Sequence, residues 1–553
     1  MHLNKSMDIK NGTNGKVINS QAGMDKAVKK ICDILRRDKA KGARLYVAEL
    51  TWIFFLRYLD LIDEKAAAEA KALKVDFEPT LKAPYRWRDW AAAYDRRKDP
   101  EAIIKNKDRG WKRCEIDNHG WLNPVKKGET GTYIDFINKE LFPYLKGLKD
   151  FPSATNKQKI VSLVFVNKDQ TVVRSVANMQ DVLDGVENLT NTEISDRHIF
   201  PISQAFEGLL PSLGEKKNDG GQFFTPREVI RLIVEVLKPQ VGKTVYDPCC
   251  GTGGFLIEAY KYMGKQNPTA TQLKALKTEA LWGREDADEA IPVVLANMAL
   301  HDIDLPRIWH GNTLNDTVTS GDLFLGAPPQ FDYVMTNPPF GSKEGNSAQA
   351  KFAYKTGKAQ VLFLQHIIDS LKDGGTCGMV IDEGVLFHTK TAAYTQTKRK
   401  LLNDCNLFCI VSLPGGVFVN AGAGVKTDLF FFTKGKRTEK IWYYDMTLAD
   451  DFRPRKVNKG NPLHLEHFAD FLRRLALPED HPERISERSW YKTKAEIEAT
   501  NYDLKAVNNN APDFTDKRTP EELLAVIRQS QQKIMKSLEA FSMKKKIPAK
   551  QAV

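Results

Sequence analysis

Between about Met24 and Glu69 the apolar residues fall at helical spacing: Val28, Ile31 and Leu35, then Leu50, Phe54, Leu56, Tyr58, Leu59 and Leu61. The pattern predicts an α-helical first section. It returns over Ile134 to Leu148 and His198 to Leu210, before the polar, glycine-bearing run from Gly214 to Gln222 marks a domain boundary. Beyond it, helical patterns alternate with short β-rich runs: TVYDP from Thr244, FDYVMTNPP from Phe331, TCGMVID from Thr376, LFCIVSLP from Leu407 and DLFFFTK from Asp428. Strands separated by helices predict an α/β fold, a sheet with helices on its faces. The chain therefore divides into a helical domain over residues 1–200, an α/β domain over 201–450 and a partly helical region over 451–553. In that last region a polar, loop-like stretch runs to Thr519, where Thr519, Pro520 and Glu522 form a cap, a first-turn proline and a capping-box glutamate. Leu524, Ile527, Ile534, Leu538 and Phe541 then follow at three- and four-residue steps, with Gln531 in the one polar gap. This is the seam of a pairing helix, whose partner lies either in the chain or outside it.

Composition narrows the class. The chain has 42% hydrophobic and 27% charged residues over 553 positions, which excludes a disordered chain and predicts two to four domains. Lysine and arginine (82) outnumber aspartate and glutamate (70), and the net charge of +12 favours a polyanionic partner, nucleic acid first. The Trp-, Arg- and Lys-rich stretch from Phe77 to Gly128 reads as loops anchored by aromatic residues rather than as a nucleic-acid surface. Seven cysteines without a CxxC pair fit a reducing compartment. The longest apolar run, Leu50 to Ile62, is interrupted by Arg57 and Asp60, and the N-terminus lacks a secretory signal, so a cytoplasmic protein without a membrane span is expected. No GxxxxGK[ST] motif and no nuclease carboxylate cluster is present, so neither ATP-driven translocation nor DNA cleavage is expected of this chain. His464 and His467 have HxxH spacing but no third ligand nearby, and no metal is assigned.

Two segments carry chemistry. VYDPCCGTGGF, from Val245 to Phe255, is a strand ending in an acid, then a glycine-rich turn, then the apolar start of a helix. Nucleotide sites of several kinds share such a turn, because it lets a ligand approach the backbone closely. About 90 residues later, Asn337, Pro338, Pro339 and Phe340 follow the strand Phe331 to Met335. Two prolines stop the strand and fix the chain, so that the Asn337 amide oxygen and the Pro338 carbonyl are presented at the carboxyl end of the sheet, with Phe340 as a flat apolar face. Two acceptors and a ring suit the exocyclic amino group of a planar base, whose lone pair they would draw out of conjugation.

With these residues the chain resembles the amino-group DNA methyltransferases, whose hallmark is Asn-Pro-Pro-aromatic. Three motifs occur in order: GQFFTPREV from Gly221, DPCCGTGGF from Asp247 and NPPF from Asn337. More narrowly it resembles the modification subunit of type I restriction-modification systems, through FEGLL at Phe206, LWGREDADEAIPVVLANMALHDID at Leu281, HGNTL at His310, LFLQHIIDSLKDGG at Leu362, DEGVLF at Asp382 and LPGGVF at Leu413. The resemblance implies a Rossmann-like S-adenosylmethionine-dependent methyltransferase domain and N6-adenine methylation of double-stranded DNA at a specific site, protecting host DNA. By it, Gln222, Phe223, Phe224, Thr225, Pro226 and Arg227, with Gly251, Thr252, Gly253 and Gly254, surround the methionine part of S-adenosylmethionine, and Asp247 lies near its amino group. Glu285, after a strand at Ala280 to Trp282, accepts from the ribose hydroxyls. Asn312 stands where an Asp commonly accepts the cofactor's adenine amino group. Asn337, Pro338, Pro339 and Phe340 are the catalytic set, acting by direct displacement on a flipped base. A ring-carbon mechanism would need a Cys nucleophile, and Cys249 lies in the cofactor turn instead. The implied partners are a specificity subunit held by two modification subunits, and a restriction subunit. Asn-Pro-Pro-aromatic alone does not separate an adenine from a cytosine amino group, and two rival readings from other classes are a methyltransferase acting on a protein glutamine amide, which usually carries tyrosine in place of Phe340, and a non-catalytic scaffold.

Overall fold

The computed structural model describes residues 21–38, 40, 42–91, 133–190, 206, 225–418, 426–449, 452, 456–458, 461–512 and 518–544. Gln222, Phe223, Phe224, the expected boundary at 214–222, most of the Trp-rich stretch and, Phe206 apart, the helix expected at His198 to Leu210 lie outside these residues.

The first section is helical, with α1 (Gln21–Arg37), α2 (Ala43–Leu73), α3 (Asn156–Phe165) and α4 (Val176–Thr190) as its main elements. A Cβ at Gly185 would lie 2.7 Å from Ile31 Cγ1, so a glycine is what lets α4 pack this closely on α1. The middle of α2 is buried all round, and Trp52 meets Phe142 edge-on at 5.2 Å between ring centroids. Arg57 and Asp60, the charges that interrupt this run, are paired inside: Arg57 bonds Asp60 and Glu187, each at 3.2 Å, and Arg88 reaches Asp60 at 2.8 Å. Glu49, also fully buried, pairs with Lys168 and accepts from Thr171 Oγ1 at 2.6 Å and Trp52 Nε1 at 3.1 Å. Buried charges are tolerable when compensated in this way.

The second section is built on one ten-stranded sheet. Its strands are β1 (Val245–Asp247), β2 (Leu281–Glu285), β3 (Arg307–Asn312), β4 (Thr317–Ser320), β5 (Phe331–Thr336), β6 (Leu371–Asp382), β7 (Cys405–Ser412), β8 (Thr427–Lys434), β9 (Lys440–Asp445) and β10 (Ser489–Thr493), in the order β10-β9-β7-β8-β6-β5-β1-β2-β3-β4. The central strands β3, β2, β1, β5 and β6 are parallel, and β8 runs antiparallel between β6 and β7. Both faces are covered. Leu429 and Phe431 of β8 belong to one apolar cluster and Phe430 and Phe432 to the other, the two-residue period of a strand buried on both sides.

On the first face lie α5 (Arg227–Leu237), α6 (Gly254–Gly264) and α7 (Ala290–Leu300), whose apolar residues join the cluster of the helical section. On the second lie α8 (Ala359–Ser370) and α9 (Ala392–Asp404). The polar segment after α6 forms a short helix, Ala270–Thr278, capped by Thr269 and Gln272.

The loop-like reading of the stretch after Asp450 is corrected by β10, which pairs antiparallel with β9 and stacks Trp490 on Tyr443 at 5.3 Å. The strand has only five residues, and its ladder partner β9 was itself not marked by the pattern. One compact unit ends at Val507 and a second begins at Asn508. The second contains α10 (Pro520–Lys544), where Thr519 and Glu522 form the expected capping box, at 3.3 Å and 2.7 Å. Its Leu524, Ile527, Ile534 and Leu538 are exposed. No described helix is long and apolar enough to cross a membrane.

Candidate active site

The β1–α6 turn is a backbone cradle. Gly251 and Gly253 have φ of +54° and +81°, values that favour glycine, and a Cβ at Gly254 would stand 2.7 Å from Ile230 Cδ1 and 2.9 Å from Arg227 Nη1. Three neighbouring elements pin the turn. Glu285, the last residue of β2, accepts the Gly251 N–H at 2.8 Å; Asn297 of α7 donates to the Thr252 carbonyl at 2.7 Å; Thr313 donates to the Pro248 carbonyl at 2.6 Å. Glu285 also takes the N–H groups of Asp286 and Ala287 at 3.1 Å and 2.9 Å. Burial outweighs these bonds and raises its carboxyl above the ordinary value.

Asp247 closes β1 beneath the turn. Its Oδ1 accepts from Thr336 Oγ1 at 2.6 Å and from Cys249 N at 3.2 Å. Burial pushes this carboxyl up to about 7, the two hydrogen bonds opposing and Glu285 adding to the rise. Cys249 Sγ lies 3.0 Å from Thr336 Oγ1. Burial first and the Asp247 charge second push its thiol well up, so Cys249 is a poor nucleophile, in keeping with the rejection of a ring-carbon mechanism.

Thr336 ends β5, and Asn337 follows it. The Asn337 Nδ2 donates to Thr225 Oγ1 at 3.0 Å, which leaves its Oδ1 buried with no hydrogen-bond partner. The next carbonyl, of Pro338, accepts from Gln360 Nε2 at 3.3 Å. Phe340 is half-buried, edge-on to Phe418 with centroids 5.3 Å apart. One cleft gathers Thr225, Arg227, Asp247, Cys250, Gly251, Thr252, Gly254 and Asn337, so three motifs far apart in the chain meet at one edge of the sheet. Pro226 caps α5 at its rim. Arg227 Nη2 is also buried without a partner.

Asn312 is placed differently from its expected use. Its Oδ1 takes the N–H groups of Leu314 and Asn315 at 3.0 Å and 3.1 Å, and its Nδ2 reaches Asp286 at 3.2 Å. An amide oxygen has two lone pairs, and both are engaged in this local turn. Sequence reasoning missed Asn297, Thr313 and Gln360. Their signal was a polar residue inside an apolar helical run, ANMAL for Asn297 and AQVLFL for Gln360, and for Thr313 a hydroxyl next to a strand end.

A sheet with five parallel central strands flanked by the reversed β8, a glycine cradle at one strand end and Asn-Pro-Pro-Phe at the next define a methyltransferase of the S-adenosylmethionine-dependent fold. Residues 195–517 match the family described as N-6 DNA Methylase, and residues 24–184 match the HsdM N-terminal domain. The type I restriction enzyme EcoEI methylase subunit of Escherichia coli is 30% identical over 521 residues, 92% of this chain and 94% of that one. The EcoKI methylase subunit of Escherichia coli strain K12 is 33% identical over 336 residues, 57% of this chain and 61% of that one. A solved chain from a structure addressing complex assembly and conformational transition of the type I R-M system is 32% identical with a TM-score of 0.68, covering 96% of this chain and 100% of that one. The chain belongs to the N-6 DNA methylase family, as an adenine-N6 DNA methyltransferase of the type I restriction-modification kind.

The Thr225 bond generates a prediction. Thr225→Val removes the acceptor that orients the Asn337 amide and is expected to slow methyl transfer about tenfold or more, whereas Thr225→Ser keeps the hydroxyl and most of the rate. Single-turnover methylation of both variants checks this, and equal rates would remove Thr225 from the role.

Proposed function

We propose that the cleft binds S-adenosylmethionine and that the NPPF loop receives an adenine rotated out of the DNA duplex, which costs about a few kcal/mol of unstacking. The observation that carries this reading is the unpaired, buried Asn337 Oδ1 beside the Pro338 carbonyl. The cradle fits the cofactor. The unpaired Arg227 Nη2 suits its carboxylate and Asp247 its ammonium, while the small turn from Gly251 to Gly254 leaves room for the methionine chain. Glu285 Oε2, which accepts only the Gly251 N–H, keeps a lone pair for a ribose hydroxyl, whereas Oε1 already takes the Asp286 and Ala287 N–H groups. S-adenosylmethionine supplies a methyl group on a sulfonium centre.

Asn337 Oδ1 and the Pro338 carbonyl accept the two hydrogens of the target amino group and free its lone pair. As that nitrogen gains positive charge, the same two dipoles, already fixed, stabilise it without reorganising. Pro339 keeps the loop rigid and Phe340 offers its ring to the base. The surplus of basic residues binds the DNA phosphates. DNA reading falls to a specificity subunit shared by two such chains, and cleavage to a restriction subunit. The exposed apolar seam of α10 supports it as the contact to the specificity subunit.

Asn337→Ala is expected to lower transfer by at least about a hundredfold with cofactor affinity nearly unchanged. Sequencing of modified bases in cells carrying the chain and its partner subunits reads this directly, and N6-methyladenine persisting at one defined motif would reject the role. Because Asp247 is raised to about 7, it is largely neutral below that pH. A bound ammonium favours the ionised form, so cofactor affinity should rise by up to about tenfold per pH unit as pH increases toward 7, then level off. Calorimetry on wild type and Asp247→Asn checks this, the variant showing no such slope. Truncation before Thr519 should abolish co-purification with the specificity subunit, and unchanged assembly would exclude α10 as the contact.

A further inference from the structure

We propose that Gln360 is a positioning residue that aims the Pro338 carbonyl at the target amino group. The inference rests on the reading of Asn337 and Pro338 as the two acceptors. Gln360 is the second residue of α8, and its immediate successors Val361, Leu362, Phe363 and Leu364 are all buried. It is itself only 5% exposed, and an amide in such a place is costly unless both its ends are bonded. Both are. Its Oε1 accepts the Asp382 N–H at 2.8 Å and its Nε2 donates to the Pro338 carbonyl at 3.3 Å.

The first bond decides the second. Asp382 is the last residue of β6, the strand beside β5, and its backbone N–H requires an acceptor. The amide cannot turn over without setting two N–H groups against each other, so its NH2 must face Pro338. Pro338 needs this help because Pro339 carries no N–H and holds the loop away from local turn bonding. A carbonyl has two lone pairs. Gln360 takes one and fixes the direction of the other. Thr225 does the equivalent for Asn337, so each acceptor has one orienting partner, drawn from a different helix or its cap.

The test uses the assembled complex, its DNA and bound S-adenosylmethionine, in single-turnover methylation from about pH 6 to about pH 8.5. In Gln360→Glu the introduced carboxyl, its pKa raised by burial, can donate to Pro338 only while protonated. The charged groups at that end of β6 are Asp382, which accepts from Gly384 N at 2.7 Å; Glu383, which pairs with Lys426 and Lys505, each at 3.0 Å; and Asp428 of β8, opposite Ile381, which accepts from Ser412 Oγ at 2.6 Å and which burial raises to about 7 in wild type and variants alike, so that its titration cancels in the ratio. The rate relative to wild type should therefore stay within about threefold at the acid end and fall about tenfold or more at the alkaline end. Gln360→Met, which can neither donate nor accept through nitrogen or oxygen, should be about tenfold slow at every pH. Cofactor affinity should stay at the wild-type level in both. A ratio for Gln360→Glu that does not change with pH, or a wild-type rate for Gln360→Met, overturns the proposal. If Gln360→Glu does not fold, the Gln360→Met rate decides alone. Should Asn337→Ala retain activity, the acceptor reading itself has failed. If only the Gln360 variants are neutral, the acceptor reading stands and Gln360 is structural.

Discussion

The hydrogen bond from Thr336 to Asp247, 2.6 Å long and fully buried, joins the ends of two adjacent parallel strands. One strand leads into the glycine cradle and the other into Asn-Pro-Pro-Phe. Neither loop anchors itself to the sheet, since glycine permits conformations without choosing one and the prolines, which stiffen their loop, remove its backbone donors. The register of β1 against β5 fixes the distance between them, and the Thr336–Asp247 bond carries that register to the last residue of each strand. A buried carboxylate here is expensive, and its raised pKa is the measure of that cost. The bond keeps the acid in place until a cationic ligand can favour its charged form.

The site is held by bonds that cross between elements. Glu285 comes from β2, Asn297 from α7, Thr225 from the cap region of α5 and Gln360 from α8, and each fixes one backbone or amide group of the two loops. In the proposed reading this is the arrangement preorganisation requires, with the acceptors set before the substrate arrives, one lone pair of the Pro338 carbonyl and both of Asn337 Oδ1 being left for it. It also explains why the Asn337 Oδ1 can remain unpaired. A buried orphan acceptor costs about 1–3 kcal/mol, and the surrounding bonds prevent the loop from collapsing to satisfy it.

How much of this was legible in the sequence depended on whether a feature was local. The cradle and the Asn-Pro-Pro-Phe loop could be read directly, because glycine and proline report backbone conformation where they stand. The strands β1, β5, β6, β7 and β8 were legible from their short apolar runs. Strand β10 was not, because a strand at the sheet edge is defined by its ladder partner more than by its own composition. Asn312, to which the resemblance gives a ligand contact, has that oxygen engaged by two backbone N–H groups in a local Asx turn, which the sequence did not reveal. Asn297 and Gln360 were hidden because a polar residue in an apolar helix reveals its partner only after the helix is packed.

Packing ties the helical first section to the chemistry as well. Helix α7 is apolar on nearly every side, with Ile291, Val293, Val294, Ala296 and Met298 all buried, and it packs between the cradle and the helices α2 and α3. Its single buried amide, Asn297, holds the Thr252 carbonyl while its own Oδ1 has no partner. An amide half satisfied in this way is unfavourable by itself. It persists because the apolar contacts of α2 and α3 fix α7 from the opposite side, leaving the helix no freedom to withdraw. The shape of the cradle is therefore set partly by a domain that contributes no residue to it, and the helical section is a structural part of the methyltransferase rather than an attachment.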